Sequence, residues 1–204
     1  MVKVDLHVHS SASFDCSVEP VRVGERCRRL GLSPIFLTDH NTIEGALQLR
    51  DSPVSVVVGQ EMRTADGELI GLFLSQAVPD GLSAKETVRL MKAQGGLVYL
   101  EHPYDQFRLH LREEAVEEIA ELIDIVEVWN GRSDRGINRQ AMQLCNALGA
   151  APGAGSDAHT LADIGKVFVE MEAFDGAQDF LEKLRSGKIT GRRSGIHVPR
   201  LRRP

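Results

Sequence analysis

Val2-Lys3-Val4-Asp5-Leu6-His7-Val8-His9 is the stretch from which the fold is read. Its β-branched and apolar residues predict a strand. In a strand, side chains two apart share a face, so His7 and His9 point the same way, toward one ion. Asp5 shares that face and is placed to accept a ring N–H. A buried strand that ends Asp-x-His-x-His is unfavourable without a ligand to satisfy its imidazoles.

Working outward, strand and helix alternate. Glu19-Pro20 opens a helix to about Leu30, with Gly31 as its C-cap. Pro34 to Thr38 reads as a short buried strand ending in Asp39-His40-Asn41, and a helix follows to about Leu49. Val54 to Gly59 is a third strand, ending at Gln60-Glu61, and Glu68 to Leu74 a fourth, after an Asp66-Gly67 turn. Ser83-Ala84-Lys85-Glu86 is a capping box for a helix to about Ala93. Leu97 to Leu100, Ile125 to Trp129, Ala151 to Gly155 and Val167 to Met171 are further strands. Arg112 to Leu122, Asn138 to Leu148 and Ala177 to about Arg185 are helices.

Alternation of this kind argues for parallel βα units. The polar candidates recur just past successive strand ends, where a βα barrel gathers its chemistry. A doubly wound sheet would use one crevice, whereas several separate strand ends fit a closed barrel. An eight-unit barrel typically needs ~250 residues. The chain has 204, so the expectation is a distorted (β/α)7 barrel, α/β in class. Residues 1–191 are expected to form one domain and 192–204 a basic tail.

The candidates are His7, His9, Asp15, His40, Glu61, His102, Asp157 and His159. Five of the seven histidines fall in this set, leaving His110 and His197 as surface residues. Imidazole with carboxylate suits Zn²⁺, Mn²⁺ or Fe²⁺, and eight such groups exceed the needs of one ion, so two or three divalent ions are expected.

Composition narrows the alternatives. Hydrophobic content of 42% and charged content of 26% are those of an ordinary globular protein, and a net charge of −5 argues against a general polyanion binder. No apolar run is long enough to span a membrane and none reads as a signal peptide. Cys16, Cys27 and Cys145 form no CxxC pair, which fits inert thiols in a reducing cytoplasm.

As an ordered set, Asp5-Leu6-His7-Val8-His9, Thr38-Asp39-His40-Asn41, Gly59-Gln60-Glu61, His102-Pro103 and Gly155-Ser156-Asp157-Ala158-His159 resemble the motifs of the PHP (polymerase and histidinol phosphatase) family. The segments 127–138, Ile164-Gly165-Lys166 and 187–193 resemble its small stand-alone phosphoesterases. The resemblance implies a distorted barrel with up to three ions. By position, His7, His9, Glu61 and Asp157 would hold the first. Glu61 would bridge to a second, also held by His102. Asp15, His40 and His159 would hold the third. Some members take another His for the second ion after the 125–129 strand. This chain offers Asn130 there, with Glu127 further back.

The implied chemistry is hydrolysis of a phosphoester, a nucleotide or other small phosphate, by a metal-activated hydroxide. Asp157 would serve that chemistry as a ligand, and His40 or His159, where not fully engaged by a metal, would protonate the leaving oxygen. Arg132 and Arg135, just past a strand end, are the candidates for phosphate contact. Arg108 and Arg112 rank below them. Trp129, within a strand, reads as core. The partner expected is a small phosphorylated substrate, or a short oligonucleotide met in part by the arginines between Lys188 and Arg203. No membrane and no obligate protein partner are implied. The alternatives are cleavage of an oligonucleotide from its 5′ end, C–N-cleaving amidohydrolysis, and a non-catalytic metal-binding or interaction module.

Overall fold

The computed structural model describes residues 1–50 and 52–192. Its elements in chain order are β1 (Val2–Val4), α1 (Pro20–Leu30), β2 (Ile35–Leu37), α2 (Glu44–Gln48), β3 (Val56–Thr64), β4 (Gly67–Leu72), α3 (Ala84–Ala93) and β5 (Leu97–Leu100). There follow α4 (Glu113–Ile119), a 3₁₀ turn (Ala120–Leu122), β6 (Ile125–Asn130), α5 (Arg135–Leu148), β7 (Ala151–Gly155), β8 (Val167–Met171), α6 (Gly176–Leu184) and β9 (Lys188–Gly191).

Local signals account for most boundaries. Pro20 opens α1, where its missing N–H costs nothing, and Gly31 ends it in the left-handed region at φ 71°. Ser83 and Glu86 form the reciprocal capping box of α3. α5 starts a turn earlier than the sequence predicts, at Arg135 rather than Asn138.

Six strands form one curled sheet in the order β2-β3-β4-β5-β6-β7, and β1-β8-β9 form a smaller one. β2 and β3 pair in parallel, as do β5, β6 and β7. The N-terminal stretch bridges the two edges of the large sheet. Thr38 N–H donates to Val8 O at 2.9 Å on one side, and His9 N–H donates to Ala158 O at 3.1 Å on the other. The histidine pair therefore sits at the seam that draws the sheet into a partial barrel.

The expected alternation fails at one place. No helix separates β3 from β4, which pair antiparallel as a hairpin, and β4 is also antiparallel to β5. Ala65-Asp66 joins them in a turn too short for a crossover. In consequence Glu61 lies within a strand, paired with Ile70, and not past a strand end. β9 is a second departure: Lys188–Gly191, immediately before the expected tail, forms a strand that the sequence reading does not name and pairs antiparallel with β8. Residues 193–204 of that tail, including His197, lie outside the described residues.

Strand alternation separates the core inside the curl from two outside it, one of them formed by Val8, Val23, Leu37 and Leu49 beneath α1 and α2. Tyr99, Ile125, Phe36 and Val169 face the interior of the curl, with Phe180 of α6 closing its base. Val98, Leu100 and Val126 face the other way, onto Val88 and Met91 of α3 and Ala115 and Ile119 of α4. Among the described residues, no helix is long and apolar enough to cross a membrane.

Candidate metal centre

At the open end of the curl, buried groups fix which ring nitrogens face inward. His7 Nδ1 lies 3.1 Å from Glu127 Oε1. A carboxylate can only accept, so Nδ1 carries the proton and Nε2 presents a lone pair. His9 Nδ1 lies 3.2 Å from Ser13 Oγ, and that hydroxyl donates to Asp39 Oδ1 at 2.8 Å. The hydroxyl therefore accepts from His9, whose Nε2 also presents a lone pair.

The two Nε2 atoms stand 3.1 Å apart. Glu61 Oε2 lies 3.3 Å from the first and 3.2 Å from the second. Asp157 Oδ1 lies 3.8 Å and 3.5 Å from them. Acceptors facing acceptors at these separations repel one another unless a proton or a metal cation lies between. Burial by itself would lower His7, but the Asp157, Glu127 and Glu61 charges raise it well above its ordinary value. A tetrahedral ion with bonds of about 2.0–2.1 Å needs ligand atoms about 3.4 Å apart. This donor set therefore fits a divalent ion in chemistry and in spacing.

A second group adjoins it. His102 Nε2 lies 3.3 Å from Glu61 Oε1. Donor atoms of Glu61, Glu68 and His102 lie within 4.8 Å of one another. His102 Nδ1 and Glu101 Oε1 are buried without a hydrogen-bond partner among the described residues. Burial and the neighbouring Glu61 charge push the Glu68 carboxyl up to about 8, and the same two causes raise Glu101 well above the usual carboxylate range. Carboxylates crowded to this degree either hold a proton or take a compensating cation.

A third group lies nearer solvent. His9, His40 and His159 bring ring nitrogens within 4.8 Å of one another. Asp15 Oδ2 lies 3.0 Å from His159 Nε2 and 3.5 Å from His40 Nε2. Two of the donors are held by strained turns: His102 has φ 28° and Asp157 φ 52°. Each such non-glycine residue costs about 1–3 kcal/mol, which the surrounding hydrogen bonds must hold in place.

All eight candidate ligands thus converge, and several other expectations change. Asp5 accepts no ring N–H. It accepts from Ser156 N at 2.8 Å, Ser156 Oγ at 2.5 Å and Gly165 N at 3.1 Å, stapling the N-terminal stretch to the loop after β7. Glu127 and Asn130 are both committed elsewhere. Besides His7, Glu127 accepts from Tyr99 Oη, His102 N and Asn130 Nδ2. Asn130 Oδ1 accepts from Arg108 Nη1 and Arg132 N. Glu68 is the residue that sits with Glu61 and His102.

The arginines divide. Arg132 Nη1 lies 3.2 Å from Asp157 Oδ1 and 2.8 Å from His159 Nδ1. Arg108 Nη1 lies 2.9 Å from Asp157 Oδ2. Burial by itself would raise the Asp157 carboxyl, but Arg132, Arg108 and His7 hold it well below its ordinary range. Arg135 instead lines a separate cleft of about 300 Å³ with Trp129, Ser133, Asn138, Gly191 and Arg192, and no candidate ligand lines it. Trp129 is half-buried between that cleft and β9 rather than deep in the core. Arg112 pairs with Asp66, away from the centre.

Glu68, Glu127 and Arg108 are the residues that the sequence reading underrates. One signal for Glu68 was present. The Asp66-Gly67 turn folds Glu68 back opposite Arg63, and Arg63 lies two residues beyond Glu61, on the same face of the strand.

Comparison with known proteins places the chain. An uncharacterized protein of Methanocaldococcus jannaschii is 37% identical over 151 residues, covering 67% of this chain and 86% of that one. A family model described as PHP-associated matches residues 136–189. The chain belongs to the PHP family.

This PHP chain shares its fold with a two-domain protein of Bacteroides vulgatus containing a predicted PHP-like metal-dependent phosphoesterase. The TM-score is 0.67 at 24% identity, over 93% of this chain and 64% of that one. The PHP chain thus spans just under two thirds of that protein. The lesion-specific endonuclease PfuEndoQ of Pyrococcus furiosus gives a TM-score of 0.64 at 17% identity, over 93% of this chain and 57% of that one.

Proposed function

We propose that this PHP protein is a metal-dependent hydrolase of phosphoesters. The observation that carries the reading is the pair of Nε2 lone pairs of His7 and His9, 3.1 Å apart, with Glu61 Oε2 beside both. The frame we assign it is a seven-stave distorted barrel. Its staves are the N-terminal stretch and β2 to β7, with β4 reversed. Residues 1–191 form its single domain.

His7, His9, Glu61 and Asp157 hold the first ion, and Glu61, His102 and Glu68 the second. Asp15, His40 and His159 hold a third. Divalent ions at such a centre act as Lewis acids and supply a nucleophilic water at neutral pH. Arg108 and Arg132 lie on the Asp157 side and offer planar N–H forks to the outer oxygens of a phosphoryl group. They favour an anionic substrate over a neutral amide. His40 and His159 lie at the rim, with side chains 11% and 15% exposed; where the third ion does not engage both, the free ring, once protonated, reaches a leaving oxygen.

The test is phosphate release from a panel of mono- and diesters by protein reconstituted separately with Mn²⁺, Fe²⁺ and Zn²⁺. The expected result is turnover that Asp157→Ala abolishes while the circular dichroism spectrum is retained. Turnover of amides and of no phosphoester would overturn the reading in favour of amidohydrolysis.

A further inference from the structure

Phe14 stands out from the rest of the rim. The residue is 79% exposed, yet its ring stacks on His40 with centroids 5.1 Å apart and planes 30° apart. One ring face is thus used and the other is open. A single exposed apolar residue is ordinary, but this ring stands at the site mouth with one face already stacked on an imidazole, which leaves its other face placed for a flat occupant.

The loop that carries it is fixed on both sides. Ser13 Oγ donates to Asp39 Oδ1 at 2.8 Å and accepts from His40 N at 3.0 Å. Asp39 also accepts from Ser10 N at 2.6 Å and Ser10 Oγ at 2.7 Å. On the other side Asp15 faces His40 and His159. A Cβ at Gly45 would lie 2.1 Å from Asp39 Oδ2, so helix α2 packs directly beneath this network. The backbone of residue 14 is therefore positioned by its neighbours, and the ring is pre-oriented with His40 against one face.

Its place relative to the ions sets what it meets. His40 Nδ1 lies 3.3 Å from Glu61 Oε2, and Phe14 stacks on the same imidazole. The ring is thus one side chain farther out than any atom held at the centre. Arg108 and Arg132 approach through Asp157, whereas Phe14 approaches through His40. A phosphoryl group met by the arginines presents its ester substituent elsewhere, and the rim holding His40 and Phe14 is open to receive it.

We infer that Phe14 is a stacking platform for the base of a nucleoside phosphate whose phosphoryl group lies at the metal centre. The inference rests on the phosphoesterase reading and narrows its substrate class. A sugar between phosphorus and base spans the extra side chain's width, which an aryl group attached directly to the ester oxygen does not. A flat base also tolerates a partner of fixed plane and variable identity, so the platform selects for an aromatic group without selecting among bases.

The experiment compares adenosine 5′-monophosphate, ribose 5-phosphate and phenyl phosphate as substrates of wild type, Phe14→Ala and Phe14→Tyr, all metal-reconstituted. Metal content and equilibrium binding of adenosine 5′-monophosphate are measured alongside. In Phe14→Ala the ratio of kcat/KM for the nucleotide to that for ribose 5-phosphate is expected to fall about 10-fold, carried by KM. Nucleotide affinity is expected to fall by the same factor, with metal content retained and Phe14→Tyr restoring both. An equal loss on both substrates, or no loss, overturns the platform while leaving the phosphoesterase reading standing. A fall confined to phenyl phosphate overturns the nucleoside in favour of an aryl ester. Wild-type protein that hydrolyses none of the three and binds no nucleotide removes both.

Discussion

Glu127 Oε1 accepts from His7 Nδ1 at 3.1 Å across 120 residues of chain, and this single contact decides which His7 nitrogen faces the candidate ions. The same carboxylate gathers Tyr99 Oη at 2.9 Å, His102 N at 2.9 Å and Asn130 Nδ2 at 2.8 Å. It is wholly buried and acts behind the centre, as an anchor for the groups that reach it.

Glu127→Gln should therefore weaken metal binding while retaining every ligand. The amide keeps one acceptor but turns an N–H toward Tyr99, His7, His102 N or Asn130, all of them donors here. Loss of such an orienting partner typically costs about 10–100-fold in metal affinity. Competition against a fluorescent chelator measures it, and an affinity equal to wild type would remove Glu127 from the support of the centre.

Ligand sharing predicts unequal losses of metal. Wild-type protein is expected to hold two or three divalent ions per chain. Glu61→Ala should remove two, because its oxygens face His7 and His9 on one side and His102 on the other. Glu68→Ala and His159→Ala should each remove one. Elemental analysis after reconstitution decides this, and wild-type content in Glu68→Ala would return the second ion to His102 and Glu61 alone.

Metal removal should lower stability. Bound ions neutralise opposed lone pairs and crowded carboxylates, and a ligand at about 100 times its Kd stabilises a fold by roughly 2.7 kcal/mol per site. Thermal unfolding before and after chelation should show a large fall in Tm, reversed on adding back the ion. A Tm indifferent to chelation would show that the ions contribute nothing to the folded state.

The arginines should separate in kinetics. Arg108→Ala and Arg132→Ala are each expected to raise KM for a phosphate ester ~10–100-fold, taking ~1.5–3 kcal/mol for a charge-assisted hydrogen bond. Arg135→Ala should change it little, because Arg135 lines the cleft beside Trp129. Steady-state kinetics on all three variants at equal metal content provides the check, and a larger effect at Arg135 would place the substrate over that cleft.

Close packing at one glycine should couple fold to site. A Cβ at Gly155 would lie 2.3 Å from His7 Cβ and 2.9 Å from Glu127 Oε1. Gly155→Ala should therefore destabilise by about 1–3 kcal/mol and reduce metal affinity as well, because His7 must move. Denaturant unfolding with metal titration reads both, and unchanged affinity would show that the strain relaxes away from His7.

The sequence by itself determined what is local. Proline at a helix start, glycine at its end, the Ser83–Glu86 box and apolar alternation in strands depend on residues a few positions apart. The kind of chemistry was legible for the same reason: residues two apart in extended chain tend to share a face, and a His and carboxylate set is a metal donor set wherever it gathers. The strand itself stops at Val4, short of the expected His9, and only Val8 keeps a strand bridge beyond it. Tertiary structure alone decided which groups meet. The β3–β4 hairpin brings Glu68 to Glu61, where a parallel crossover would have carried it away. Register across β5 and β6 puts Glu127 behind His7 and His102. Arg108 and Arg135 are alike in sequence, each in or beside a loop after a strand, yet one reaches Asp157 and the other a different cleft. Side-chain direction past a strand end follows from turn conformation and from the packing of the next helix, and both are set by contacts far apart in the chain.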